Sequence, residues 1–297
     1  RDAAFILNAM LAVGFTDRAE KVIETSFFKR QTILGYFHSQ DGEWDSNGQA
    51  LWTLMRFCEL TGTKPKEHWM GPIEKAAVWI EKKRLSEDLQ ELHAGLFPPG
   101  FSAEHLGPND YYFWDDFWGV AGLKAAADLL RSGGEPKLAE KFLAISETFS
   151  KSIDKSLKSV ESKNGRKAIP ASPYRRMDTG AIGSLAGGYP LKLWQAKDER
   201  LLASVEYMLE NFMVDDGFFH DMSHSGINPY LTLHIAQVLL RSGDPRFYDV
   251  LLAVQPSTLG PTALRNFVDA VRQGQSPVIF EDPHPLMSDI TGTYAEK

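Results

Sequence analysis

The sequence predicts an all-α fold built as a ring of helical hairpins. Apolar residues recur every three to four positions along almost the whole chain, the period of a helix with one buried face. Period-two alternation, the mark of a half-buried strand, is scarce, which argues against α/β folds. The longer connections between helices (38–47, 91–116, 164–178, 214–229 and 274–292) hold the aromatic and acidic residues. Functional loops gathered at one end of a ring account for that enrichment. No fixed repeat period runs through the chain, and an open α-solenoid is the alternative architecture.

The elements follow in order. Residues 2–13 place Ala3, Phe5, Ile6, Ala9, Met10 and Val13 at helical spacing. Thr16-Asp17 caps a second helix, predicted to reach about Phe37. Asp45 or Ser46 opens a third, through Leu51, Leu54, Met55, Phe57 and Leu60, and Gly62 stops it. Residues 67–84 form a fourth. Asp115 or Asp116 opens a fifth, stopped by Gly133-Gly134, and residues 136–159 form a sixth. A seventh runs from Asp178 to about Trp194, and an eighth covers 198–213. Pro229 suits the first turn of a ninth that ends at Gly243, and 245–254 make a tenth. The Lys- and Arg-rich stretch 151–169, which includes Arg166, reads as a solvated helix end and loop.

Composition narrows the function. With 297 residues, 43% hydrophobic and 24% charged, the chain has the make-up of a globular domain with a large core. A net charge of −7 argues against nucleic acid as a partner, because phosphate binding needs a basic stripe. No apolar run is long enough to cross a bilayer, so no membrane span is expected. Cys58 is the single cysteine, which excludes an intrachain disulfide, and it reads as a buried structural thiol. One cysteine and no visible leader favour a cytoplasmic setting, although the start at Arg1-Asp2 reads as incomplete. Oligomeric state is left open, and no cofactor is expected. The 7 Trp, 9 Tyr and 18 Phe cluster beside Asp, Gly and His, a mixture that suits the apolar faces and polar edges of sugars.

Five loops carry the candidate chemistry. In the first, Trp44 beside Asp45 can stack on and hydrogen-bond a sugar; Asp45 and Gln49 share a helix face, Gly48 permits close approach, and Asp45 also suits a helix cap. The second holds Glu104, Asp110, Asp115 and Asp116 among Tyr111, Trp114 and other aromatics. A carboxyl packed against aromatics is desolvated, and its raised pKa suits a general acid. One of Asp115 and Asp116 is expected only to cap the following helix. In the third, Arg175-Arg176 precedes Asp178 and can hold a substrate carboxylate or balance local acids. The fourth gathers His220, Asp221 and His224, whose spacing matches no strong metal signature, so an aromatic-lined polar cleft is preferred and no metal is expected. In the fifth, Glu281 follows Phe280 and precedes Pro283 and Pro285, which restrict the backbone beside it. The sequence has no nucleophile elbow, P-loop or dinucleotide-binding glycine motif.

With these loops placed, the chain resembles glycoside hydrolase family 15, the glucoamylase-like (α/α)6 toroids, whose loop style trehalases share. Arg1-Asp2-Ala3-Ala4-Phe5 followed by Gly14-Phe15, the stretch Glu43 to Trp52, and Asp178-Thr179-Gly180-Ala181-Ile182-Gly183-Ser184-Leu185 followed by Tyr189-Pro190-Leu191 carry the resemblance. It implies one catalytic (α/α)6 domain over 1–297, lacking the first and last helices. It also implies a glycosidase that cleaves an α-glucoside or related oligosaccharide with inversion. Glu104 would protonate the glycosidic oxygen and Glu281 would activate water, with the two carboxyls roughly 6.5–9.5 Å apart. Arg1, Asp2, Trp44, Asp45, Asp110, Trp114, Asp115, Asp178 and His220 would bind substrate. Glu104 sits in Ser-Ala-Glu-His rather than the family's aromatic-acidic motif, so Asp110 or Asp115 is an alternative acid. Two other readings stand beside this one: a sugar epimerase using His220 and His224, and a non-catalytic carbohydrate-binding protein.

Overall fold

The computed structural model describes residues 2–102, 109–222 and 226–254. They are mostly helical and fall into two compact units. The first is built from residues 2–102, 109–163 and 172–174, the second from 164–171, 175–222 and 226–254.

The first unit contains α1 (Asp2–Ala12), α2 (Thr16–Val22), α3 (Ser46–Thr61), α4 (Glu67–Lys83), α5 (Phe113–Ser132) and nearly all of α6 (Pro136–Asn164). Its centre is the crossing of α3 and α5. A Cβ on Gly48 would lie 2.1 Å from the Trp118 carbonyl oxygen, and one on Gly122 would lie 2.5 Å from the Gly48 Cα. Only glycines let the two backbones meet so closely. Gly48 therefore makes room for a helix rather than for a ligand. Trp118 fills the space beside the crossing, with the rings of Phe5 and Trp52 edge-on at 6.0 and 5.6 Å.

The second predicted helix stops early. After α2 come a π-helical turn, Ile23–Phe27, and a 3-10 turn, Phe28–Arg30, and residues 31–37 then form a turn closed by a Gln31–Phe37 bridge. Fully buried Asn47 explains the break. It accepts from the Phe37 N–H at 2.7 Å and donates to the Gly35 and Ala76 carbonyls at 3.0 and 3.1 Å. A helix through 37 would leave that amide unsatisfied in the core, a cost of about 1–3 kcal/mol. Other expectations hold more closely. Gly62 ends α3 in the left-handed conformation, φ 67°. The α6 helix runs past its predicted end to Asn164, where Gly165 takes φ 67°. The α5 helix starts at Phe113, ahead of the predicted acidic caps.

The second unit contains a 3-10 segment, Thr179–Gly187, followed by α7 (Glu199–Asn211), β1 (Met213–Val214), β2 (Gly217–His220), β3 (Gly226–Ile227), α8 (Pro229–Ser242) and α9 (Phe247–Ala253). Ile182, Leu185, Leu201, Met208, Phe218, Ile235 and Leu239 form its core. The predicted helix from Asp178 to Trp194 ends at Gly187, because the chain folds back and the Trp194 ring covers that glycine, 2.3 Å from where a Cβ would stand. The small antiparallel sheet, in order β1-β2-β3, was not predicted. Its first turn is a two-residue loop, Asp215-Asp216, with both residues at positive φ, 48° and 61°. Pro229 stands in the first turn of α8 and Gly243 ends the helix at φ 78°, both as expected, and Asn228 caps the start by accepting from the Leu231 N–H at 3.2 Å.

Candidate active site

In the first unit, the starts of α3 and α5 bring four predicted residues together. Asp45 is 4% exposed, and its Oδ2 accepts from Trp114 Nε1 and from Gln49 Nε2, each at 2.6 Å. The Asp45 side chain caps no helix nitrogen; it joins the first turns of two helices. Asp115, one residue beyond Trp114, is equally buried. Buried Tyr36 senses both acids. Its phenol is pushed up to about 12, first by burial and then by the charges of Asp45, Glu43 and Asp115, against a hydrogen bond with Ser46. Tyr36 stacks on Trp79 at 4.5 Å, and the Trp44 ring lies 6.2 Å from each of them. The ammonium of Lys83 sits 3.5 Å over Trp44.

Asp110 joins this region through backbone pairing. It bridges Gly100, whose own neighbours are the Gly42 carbonyl and the Trp44 indole. Trp44 Nε1 donates to the Pro99 carbonyl at 3.3 Å, and the Asp110 carboxylate accepts from the Tyr111 N–H at 2.8 Å. Trp44, Asp45, Asp110, Trp114 and Asp115 thus belong to two loop-to-helix junctions that pack on each other. The arrangement offers buried, hydrogen-bond-positioned carboxylates next to indole rings.

Asp116 serves a different purpose. Neither it nor Asp115 is the α5 cap, a position held by Tyr112. Asp116 Oδ1 accepts from the Phe97 N–H at 2.8 Å, and among the described residues its Oδ2 has no partner. Burial drives its pKa up to about 8, against the lowering by Phe97 and Arg84. Asp116 is therefore a neutral acid that pins the loop before α5. Cys58 is only half-buried, and burial pushes its thiol up to about 11, which leaves it un-ionised and poorly nucleophilic.

The second unit has its own cleft, of about 490 Å³, which includes Asp178 and Asp221. Asp178 Oδ1 accepts from the Gly180 N–H at 3.0 Å, the N-terminal cap the sequence predicts. Asp221 accepts from the Thr179 hydroxyl at 2.6 Å. His220 is fully buried beside Phe218, so within this unit Asp221, not His220, reaches the cleft. Arg166 also lines it, a residue that the sequence places in a solvated charge run. The described residues include no helix long and apolar enough to cross a membrane. Arg1, Glu104, His224 and Glu281 lie outside the described residues, as does the Asp2 side chain.

No family model matches the chain, and no curated protein matches it. Solved structures do match. A glycosidase with a glutamate-to-alanine substitution superposes with TM-score 0.62 at 15% identity, over 97% of this chain and 86% of its own. A second glutamate-to-alanine glycosidase, in complex with glucose, gives TM-score 0.59 at 14% identity over the same shares. A bacterial glucoamylase complexed with acarbose gives TM-score 0.56 at 12% identity, over 84% of this chain and 42% of its own. The fold is the glucoamylase-like helical toroid. This agrees with the resemblance seen in the sequence and sets aside the open solenoid. In glucoamylase-like toroids as in other folds, shared architecture does not by itself fix activity, which must be argued from the site.

Proposed function

We propose that this protein is a glycoside hydrolase acting on an oligosaccharide or small glycoside. One observation carries the reading: the buried Asp45 carboxylate is held by Trp114 and Gln49 at the α3–α5 junction, next to Asp115. Sugar binding needs fixed carboxylate acceptors for hydroxyls and flat apolar rings for C–H faces. The toroidal fold shared with glycosidases supports the same reading.

Within this proposal, residues 1–297 act as one catalytic domain and the substrate is an α-glucoside. Glu104 protonates the leaving oxygen while Glu281 activates water on the opposite face, giving inversion. Asp110 or Asp115, both at the junction that leads into α5, is the alternative acid. Arg1, Asp2, Trp44, Asp45, Asp110, Trp114, Asp115 and Asp178 complete the proposed substrate contacts; His220, fully buried, is not among them. Epimerase chemistry on His220 has less support, because that ring lies wholly in the core.

The test is product release from α- and β-glucosides, oligosaccharides and trehalose by the native chain and by Glu281→Gln. The expected result is release from an α-linked substrate that falls by about 10²–10⁴-fold in the variant. Release unchanged in Glu281→Gln would remove that residue as the base. No release from any substrate would remove the hydrolase reading.

A further inference from the structure

We infer that the cleft of the second unit binds a sugar bearing a carboxylate, so that the substrate class extends to acidic glycosides. This rests on the carbohydrate reading proposed above and adds a charge to the ligand. At about 490 Å³ the cleft is of ordinary small-ligand size. Its acids and its bases are in different states. Asp178 is held by the Gly180 N–H and faces the Arg175 guanidinium at 3.7 Å. Asp221 accepts from the Thr179 hydroxyl. Arg166 and Arg176 also line the cleft, and among the described residues neither forms an ion pair.

The geometry of Arg166 sharpens the inference. Its guanidinium lies over the Tyr207 ring, 5.1 Å from the centroid. A guanidinium held near a ring by cation–π attraction spends no hydrogen bond on it and keeps N–H donors for an incoming acceptor. Those donors match the two oxygens of a carboxylate, which takes a bidentate bond from a planar fork. Met177 and Phe212 supply apolar surface in the same cleft for the C–H face of a pyranose ring. A neutral sugar brings neither guanidinium group an anionic partner; a uronic acid brings one.

Titration calorimetry of the full chain with D-glucuronate, D-glucose and inorganic phosphate tests this directly, at low and at physiological ionic strength. Glucuronate is expected to bind about tenfold or more tightly than glucose, a difference of about 1.4 kcal/mol, with the preference shrinking as salt rises. Arg176→Gln and Arg166→Gln should each weaken glucuronate about tenfold and leave glucose unchanged. Arg176→Lys should fall between, because it keeps the charge and loses the fork. Both arginines are exposed, so the variants should keep the native circular dichroism spectrum. Equal binding of glucuronate and glucose would overturn the inference, as would glucuronate binding that neither substitution alters. Phosphate binding as tightly as glucuronate would identify a general anion site and overturn it too. The binding readout is independent of turnover. A chain that binds glucuronate selectively but cleaves nothing would keep this inference and lose the hydrolase reading; cleavage of neutral glucosides without that selectivity would do the reverse.

Discussion

The indole N–H of Trp114 donates to the carboxylate of Asp45 at 2.6 Å, across 69 residues of sequence. The same oxygen accepts from Gln49, one turn further along α3. A buried carboxylate held by two donors on two helices is fixed in place before any ligand arrives. That fixity is what a sugar hydroxyl needs from its acceptor, and it costs no reorganisation on binding.

Two substitutions separate the carboxylate's function from its structural part. Asp45→Asn retains an acceptor for both donors but loses the charge. The fold should persist, and activity on a cleaved glycoside should fall at least tenfold. Trp114→Phe keeps an aromatic side chain but removes the donor and part of the buried ring system, which should cost about 1–3 kcal/mol or more in urea unfolding because the acid loses a buried partner and the indole's packing is reduced. Full activity in Asp45→Asn would remove that residue from the proposed site.

The helix crossing beneath the site gives a second expectation. Gly48→Ala puts a methyl where the Trp118 carbonyl stands, and backbone cannot step aside as a side chain can. The loss should be about 3 kcal/mol or more, at the upper end for overpacked cores. Gly62→Ala is the contrast: among the described residues nothing lies within 4 Å of its Cβ, and the left-handed φ of 67° opposes it by roughly 1 kcal/mol. Thermal melts in which the two variants lose equal stability would contradict this account of the α3–α5 contact.

Much of this was legible in the sequence, because the signals involved are local. Gly62 and Gly243 read as helix stops and take left-handed φ; Pro229 reads as a first-turn residue and is one. Asp45 and Gln49 read as one face of a helix, and they hydrogen-bond. The misses are tertiary. Nothing local says that Asn47 needs the carbonyl of Gly35 from an unwound chain, or that Trp194 folds back over Gly187. The Asp215-Asp216-Gly217 turn was a local hairpin signal that helical periodicity on either side concealed. Arg166 reads as part of a charge run because its cleft is assembled from segments some forty residues apart, reaching Tyr207.

Asp116 predicts a pH dependence. Its folded pKa of about 8 lies far above the ordinary 3.8. Below about pH 4 folded and unfolded chains both hold the proton; between the two values only the folded chain does, so rising pH favours unfolding until about 8. Asp116→Asn keeps an acceptor for the Phe97 N–H and has no proton to lose. It should match the native chain near pH 4 and be more stable at pH 8, by on the order of a few kcal/mol. Melts across that range with parallel slopes for the two proteins would show that Asp116 is not held neutral.

Glu24 predicts the opposite slope. It sits on the π-helical turn after α2. Burial alone would raise its pKa, but hydrogen bonds with Lys66 at 2.7 Å, His68 at 2.9 Å and Trp69 at 3.0 Å outweigh this and hold it at about 2. The folded value lies below the ordinary 4.5, so the stabilisation is complete above about pH 4.5 and is lost as pH falls toward 2. Glu24→Gln should therefore cost about 1–2 kcal/mol at neutral pH, with the full shift discounted because the side chain is partly exposed. The difference should narrow steadily below about pH 4.5, because the native carboxylate is then losing the charge that the glutamine never had. Urea unfolding at neutral pH and near pH 3 measures it. A difference that stays constant between the two would mean that Glu24 contributes through shape and neutral hydrogen bonding alone, and that its charge does not help hold the turn after α2 against α4.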